Sequence, residues 1–181
     1  MSALLTYRDD GPLARLLGSR RHAIPPSLLT LVAIVPLTAV IIGGEGSKGI
    51  AAAVLGWLIV LGGLSRGGPL ERDRFNWAVP ALLRAGEYAA LIWLCPPAAL
   101  AVLIPIAVRH YDAVYALRYR GGPPTMPSGG WDGRLAIAWI LLAADALPEG
   151  FYALGGILGV LFVAECVASW LHHDSEGNAF E

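Results

Sequence analysis

Six stretches of this chain stay apolar for about the length that crosses a bilayer, and no other feature constrains its fold as tightly. A transmembrane helix needs roughly 20 apolar residues, with a usable range of about 17 to 25. The stretches run from about Ser27 to Gly44, Gly49 to Leu64, Phe75 to Leu94, Pro97 to Leu117, Gly133 to Leu147 and Gly150 to Leu171. Glu45-Gly46-Ser47-Lys48, Cys95-Pro96-Pro97 and Pro148-Glu149-Gly150 divide them into pairs. Proline in the last two breaks lacks an amide donor and restrains the residue before it. The expected fold is all-α: a polytopic integral membrane protein with six transmembrane helices in three hairpins. The fifth span has the shortest apolar core and is expected to tilt or lie partly in the interface. Charge supports a bilayer environment, since 15% of the 181 residues are charged and 56% hydrophobic, where a soluble domain carries about 25% charged residues.

The arginines set the orientation. They make up twelve of the thirteen basic residues and gather in a few places. Arg8, Arg15, Arg20 and Arg21 precede the first span, Arg66, Arg72 and Arg74 follow the second, and Arg118, Arg120 and Arg134 flank the long loop after the fourth; the opposite connections carry only Lys48. Lys and Arg stay on the cytoplasmic side of short loops, so both termini are expected in the cytoplasm, with the chain multi-pass in the inner (plasma) membrane. The first apolar run begins only near Leu28, after Pro25-Pro26, without a small-residue cleavage site, so it reads as a retained span and not as a signal peptide. Residues 1–26 form a basic N-terminal segment in which Leu13, Leu16 and Leu17 share one side of a short helix. That pattern suits either an interfacial helix lying on the headgroups or a basic tail. Residues 27–171 are the membrane domain and 172–181 a cytoplasmic tail.

Ionisable groups inside a span cost about 2.5–3.5 kcal/mol each on insertion scales and therefore demand a reason. Arg84 and Glu87 are three residues apart on one face of span three, with Tyr88 one turn from Arg84. Arg109 and Asp112 repeat the spacing in span four, within Arg109-His110-Tyr111-Asp112 and ahead of Tyr115, and span six adds Glu165. A rise of about 1.5 Å per residue places Arg84, Arg109, Asp112 and Glu165 in the cytoplasmic half, where they can line one polar cavity. Asp145 falls near the other surface. In the functional reading Arg84 and Arg109, with Arg134 from the closing loop, hold an anionic group through their planar donor forks. Asp112, Glu165 and His110 then supply a general base, and Asp112 and Glu165 the oxygens a metal such as Mg²⁺ would take. In the structural reading Arg84 with Glu87, and Arg109 with Asp112, neutralise each other and only hold helices together. These residues leave open whether the chain is an enzyme.

Other features carry less. Adjacent His172 and His173 cannot share a helical face and suit a cap of the last turn better than a metal site. Glu71-Arg72-Asp73-Arg74 reads as a solvated loop, although Arg66 and Arg72 can attract headgroup phosphates. Asp132 is placed to cap span five. Trp57, Trp77, Trp93, Trp131, Trp139 and Trp170 suit an interfacial belt. Cys95 and Cys166 lie in apolar stretches without metal-ligand spacing. A P-loop, a dinucleotide fingerprint, a His-Glu-x-x-His helix and a Gly-x-Ser-x-Gly elbow are all missing, and no nucleic-acid partner is expected.

The run Arg109-His110-Tyr111-Asp112-Ala113-Val114-Tyr115-Ala116-Leu117-Arg118, together with Gly129-Gly130-Trp131-Asp132-Gly133-Arg134, resembles an actinobacterial membrane domain of unknown function. That domain occurs C-terminal to CDP-alcohol phosphotransferase domains. The Asp-Gly-x-x-Ala-Arg signature of the phosphotransferases themselves is missing here. The resemblance implies a setting in phospholipid or phosphate-linked polyol metabolism, with membrane lipids and a CDP-alcohol phosphotransferase as partners. The expected function is binding of a phosphate-bearing lipid or CDP-alcohol-type ligand in a cytoplasm-facing polar cavity, in or alongside phosphoalcohol transfer. The alternative is a non-catalytic domain that anchors or dimerises a partner enzyme, with Gly155, Gly156 and Gly159 as close-packing positions.

Overall fold

The computed structural model describes residues 8–44, 46–119 and 129–177. Glu45, Arg120, the loop 121–128 and the end of the tail lie outside the described residues, as do the side chains of Tyr115, Arg118, Trp170, His172 and His173. Among the described residues the chain is all-helical: α1 Pro12–Leu17, α2 Pro26–Gly43, α3 Lys48–Leu64, α4 Val79–Leu94, α5 Pro96–Tyr119, α6 Gly130–Ala143 and α7 Leu147–Gly177. Short 3-10 turns occupy Ser65–Gly67 and Asn76–Ala78.

Local chemistry explains the boundaries. Proline opens α1 and α2 at their first positions, where its missing N–H costs nothing. The α2 helix ends on Gly44 in the left-handed region at φ 65°, the usual glycine stop. Ser47 caps α3 by accepting from the Ile50 N–H at 3.3 Å. The chain breaks at Cys95, extended at φ −157°, because Pro96 excludes the helical conformation from the residue before it.

Each of the six apolar stretches holds a helix. Four segments are long and apolar enough to cross a membrane: Pro26–Gly43, Lys48–Gly67, Pro96–Val114 and Leu147–Ala168. The α4 and α6 helices have 16 and 14 residues, roughly 24 and 21 Å at the α-helical rise, short of a core about 30 Å thick. Large apolar side chains stay exposed on the outer faces, among them Leu31, Val35 and Ile42 of α2 and Ile157, Val160 and Val163 of α7. Such surfaces suit lipid contact.

Packing departs from three separate hairpins. The first pair, α2 and α3, does pack together, but α4 lies more against α2 than against α5, α6 lies more against α3 than against α7, and α5 packs most extensively on α7. At Gly155 a Cβ would stand 2.3 Å from the Ala101 carbonyl oxygen, so glycine is what lets those two helices approach. The position of α6 follows from its first turn, where Trp131, Asp132 and Arg134 are all buried and take their partners from α1, the end of α3 and α4. At the end of the bundle away from that first turn, Lys48 pairs with Asp145.

Candidate functional site

Polar side chains collect at one end of the bundle, and the N-terminal segment is bound into them. Asp132 does not cap its own helix. Its carboxylate accepts from the Gly11 N–H at 2.6 Å and the Ala14 N–H at 2.9 Å, so it caps α1 from another element. Asp10 accepts from Arg8 Nε at 2.9 Å, Arg66 Nη1 at 2.7 Å and Trp131 Nε1 at 3.0 Å. Arg8 also donates to Ser65 Oγ at 3.0 Å and the Gly62 carbonyl at 3.3 Å. The backbone leaves no slack, since a Cβ on Gly130, at φ 71°, would meet Gly11 N at 2.1 Å. Arg8, Asp10 and Asp132 are all buried, so α1 is docked on the bundle and Trp131 is a core residue instead of a belt residue.

Deeper in the same end, Arg134 donates from Nε and Nη2 to the two Glu87 oxygens at 2.5 and 3.1 Å, and from Nη2 to Asp9 Oδ2 at 2.9 Å. The Asp9 carboxylate stands 3.5 Å from His110 Nε2, and Nδ1 of that imidazole is 2.7 Å from the Tyr88 hydroxyl. The Glu87 pairing therefore runs to Arg134 across helices, not back to Arg84 within its own. Arg109 likewise pairs with Glu165 on α7, and its guanidinium lies over the Phe162 ring, 4.8 Å from the centroid. Arg84 and Asp112 are half-buried on α4 and α5. The sequence-derived candidates Arg134 and His110 thus share one network through Asp9, while Arg109 pairs with Glu165. No three His, Cys, Asp or Glu side chains among the described residues come together as a metal-holding set.

Sequence reasoning missed Asp9 and Asp10, placed in a segment read as either an interfacial amphipathic helix or a basic tail. The signal was an Arg-Asp-Asp run directly before Gly11-Pro12, two adjacent acids in a segment otherwise rich in arginine.

Beside this network a groove of about 470 Å³ opens among Arg21, His22, Ala23, Pro25, Pro69 and Arg72. Arg21 and Arg72 are exposed and, among the described residues, have no ion-pair partner. His22 is fixed by its Nε2, 2.8 Å from the Leu64 carbonyl, which requires the hydrogen on that nitrogen. Its Nδ1 is enclosed without a partner. Next to the groove Asp73 holds the first turn of α2, accepting from Ser27 N–H at 2.7 Å and Ser27 Oγ at 2.8 Å. Burial acts to raise the Asp73 pKa, but the bonds from Ser27 and the Phe75 N–H outweigh it and leave the group below the usual carboxylate value. The sequence run Glu71–Arg74 is thus a solvated loop with one structural member, Asp73.

A model of a family of unknown function matches residues 1–179, nearly the whole chain. The chain belongs to that family, DUF5941. This agrees with the domain of unknown function that the Arg109–Arg118 and Gly129–Arg134 motifs resemble. No curated protein and no solved structure matches the chain. Within this DUF5941 chain the described features of chemical interest are therefore the Asp9-centred network, the Arg109–Glu165 pair and the basic groove.

Proposed function

We propose that this chain is a membrane-embedded domain that binds a phosphate-bearing lipid or CDP-alcohol-type ligand at the arginine-rich end of its bundle, in or alongside phosphoalcohol transfer. The observation that carries the reading is the groove of Arg21, His22 and Arg72. Guanidinium forks match phosphate oxygens, and two arginines without carboxylate partners keep that capacity for a ligand. The charges of Arg8, Arg66, Arg109 and Arg134 are instead balanced by acids within the protein. In this reading all six long helices cross the inner membrane, α4 and α6 by local thinning of the bilayer, and both termini face the cytoplasm. The groove then lies at headgroup level.

Native mass spectrometry of gently purified protein tests the proposal. A retained phosphate-bearing adduct that disappears in Arg21→Ala/Arg72→Ala supports it; an adduct of equal occupancy in that variant overturns the site. A second reading, a non-catalytic domain that anchors or dimerises a partner enzyme, draws on α7, where Cβ atoms added at Gly156 and Gly159 would meet nothing. It predicts a ligand-free dimer in the same experiment.

A further inference from the structure

Tyr88 of α4, His110 of α5 and Asp9 of the N-terminal segment stand in a line. The phenol oxygen is 2.7 Å from His110 Nδ1, and the two rings lie stacked, 6.0 Å between centroids and 20° between planes. On the far side of the imidazole, Nε2 is 3.5 Å from Asp9 Oδ2 and, enclosed, has no hydrogen-bond partner. Asp9 is held in turn by Arg134 and by the Trp131 N–H on its own carbonyl. A carboxylate can only accept, so both contacts are served when Nε2 carries the hydrogen toward Asp9 and the Nδ1 lone pair accepts the phenol O–H. That order is nucleophile, base and orienting carboxylate, with a loose outer contact of the kind that tightens when ligand binds.

We infer that Tyr88 is a nucleophile, His110 the base that takes its proton, and Asp9 a positioning residue that holds the imidazole and steadies its charged form. The matching electrophile is a phosphoryl centre with an anionic leaving group. Arg84 lies one turn before Tyr88 on the same face of α4, and a guanidinium suits the charge spread over phosphoryl oxygens. In the step, Tyr88 Oη bonds to phosphorus, the bond from phosphorus to the leaving oxygen breaks with its electron pair going to the leaving phosphate, and the phenol proton passes to His110 Nδ1. The inference does not rest on the groove at Arg21 and Arg72.

Benzenesulfonyl fluoride on the full chain in detergent provides the test: Oη bonds to sulfur, fluoride leaves and His110 takes the proton. Peptide-resolved mass spectrometry at neutral pH should find Tyr88 labelled at least about tenfold faster than Tyr111 and Tyr152, although those two are 73% and 57% exposed. Acidification should slow the labelling, since the base is what activates the phenol. His110→Gln should confine it to alkaline pH, and Asp9→Asn should move the acid limb to lower pH, a readout that loss of packing alone would not give. Wild-type Tyr88 labelled no faster than the exposed tyrosines, or a pH profile unchanged in His110→Gln, overturns the inference.

Discussion

Asp73 illustrates how one side chain links pH to the fold. Its carboxylate holds the start of α2 through Ser27, and those bonds set its pKa below the ordinary 3.8. The unfolded chain then binds the proton more readily than the folded one, so stability rises with pH across this range. The Asp73 contribution is complete above the unfolded value and is lost as pH falls through the lower, folded one. Asp73→Asn should destabilise the protein by about 1 kcal/mol at neutral pH, the usual scale of a helix cap, somewhat less because the group is largely solvated. It should also flatten the acid limb of thermal unfolding relative to wild type. At the buried pair, Glu87→Leu takes both carboxylate oxygens from the enclosed Arg134 guanidinium and should cost about 3 kcal/mol, while Glu87→Leu/Arg134→Leu should cost less than that single change. Denaturant unfolding of wild type and the two variants decides it, and a double variant less stable than Glu87→Leu would show that the pair acts otherwise.

Among the elements, the helices were legible and most of their partners were not. Proline, glycine and the Ser47 cap are local signals, and each apolar stretch holds a helix close to where it was expected. Partner choice is non-local: Glu87 has Arg84 three residues away on its own helix, yet the bidentate geometry comes from Arg134 on α6. Arg109 similarly pairs with Glu165 across α7. Nothing in the spacing of Asp132 announces that it caps α1, 118 residues from Ala14. That cap gives a prediction at this scale. Asp132→Ala should weaken docking of α1 by about 1–2 kcal/mol, raising hydrogen exchange at the Gly11 and Ala14 amides by a factor of about 5–30 while exchange across the α3 cap at Ser47 stays unchanged. Equal protection in the variant would mean that Asp10 and Trp131 hold the segment without it.

For the whole molecule, the apolar outer faces suit a membrane bundle, and its polar chemistry is gathered at the arginine-rich end. The basic groove was only partly legible: Arg72 was read, together with Arg66, as able to attract headgroup phosphates, but Arg66 pairs with Asp10, and Arg21 and His22 line a groove with Arg72 only once the loops around Pro25 and Pro69 are in place. Crossing by the short α4 and α6 can be read with cysteines in a background lacking Cys95 and Cys166. Gly46→Cys, Pro97→Cys and Glu149→Cys should react with an impermeant maleimide in intact cells, and Glu71→Cys only after permeabilisation; protection of Pro97→Cys with Glu149→Cys still reactive would remove α4 and α6 from the set of crossings. The central claim, that this end of the bundle takes a phosphate-bearing headgroup, is tested most directly by titrating the protein in nanodiscs with CDP-diacylglycerol and with diacylglycerol. The account predicts at least about tenfold tighter binding of the phosphate-bearing lipid, abolished in Arg21→Ala/Arg72→Ala. Equal binding of the two lipids by the wild-type protein would contradict it.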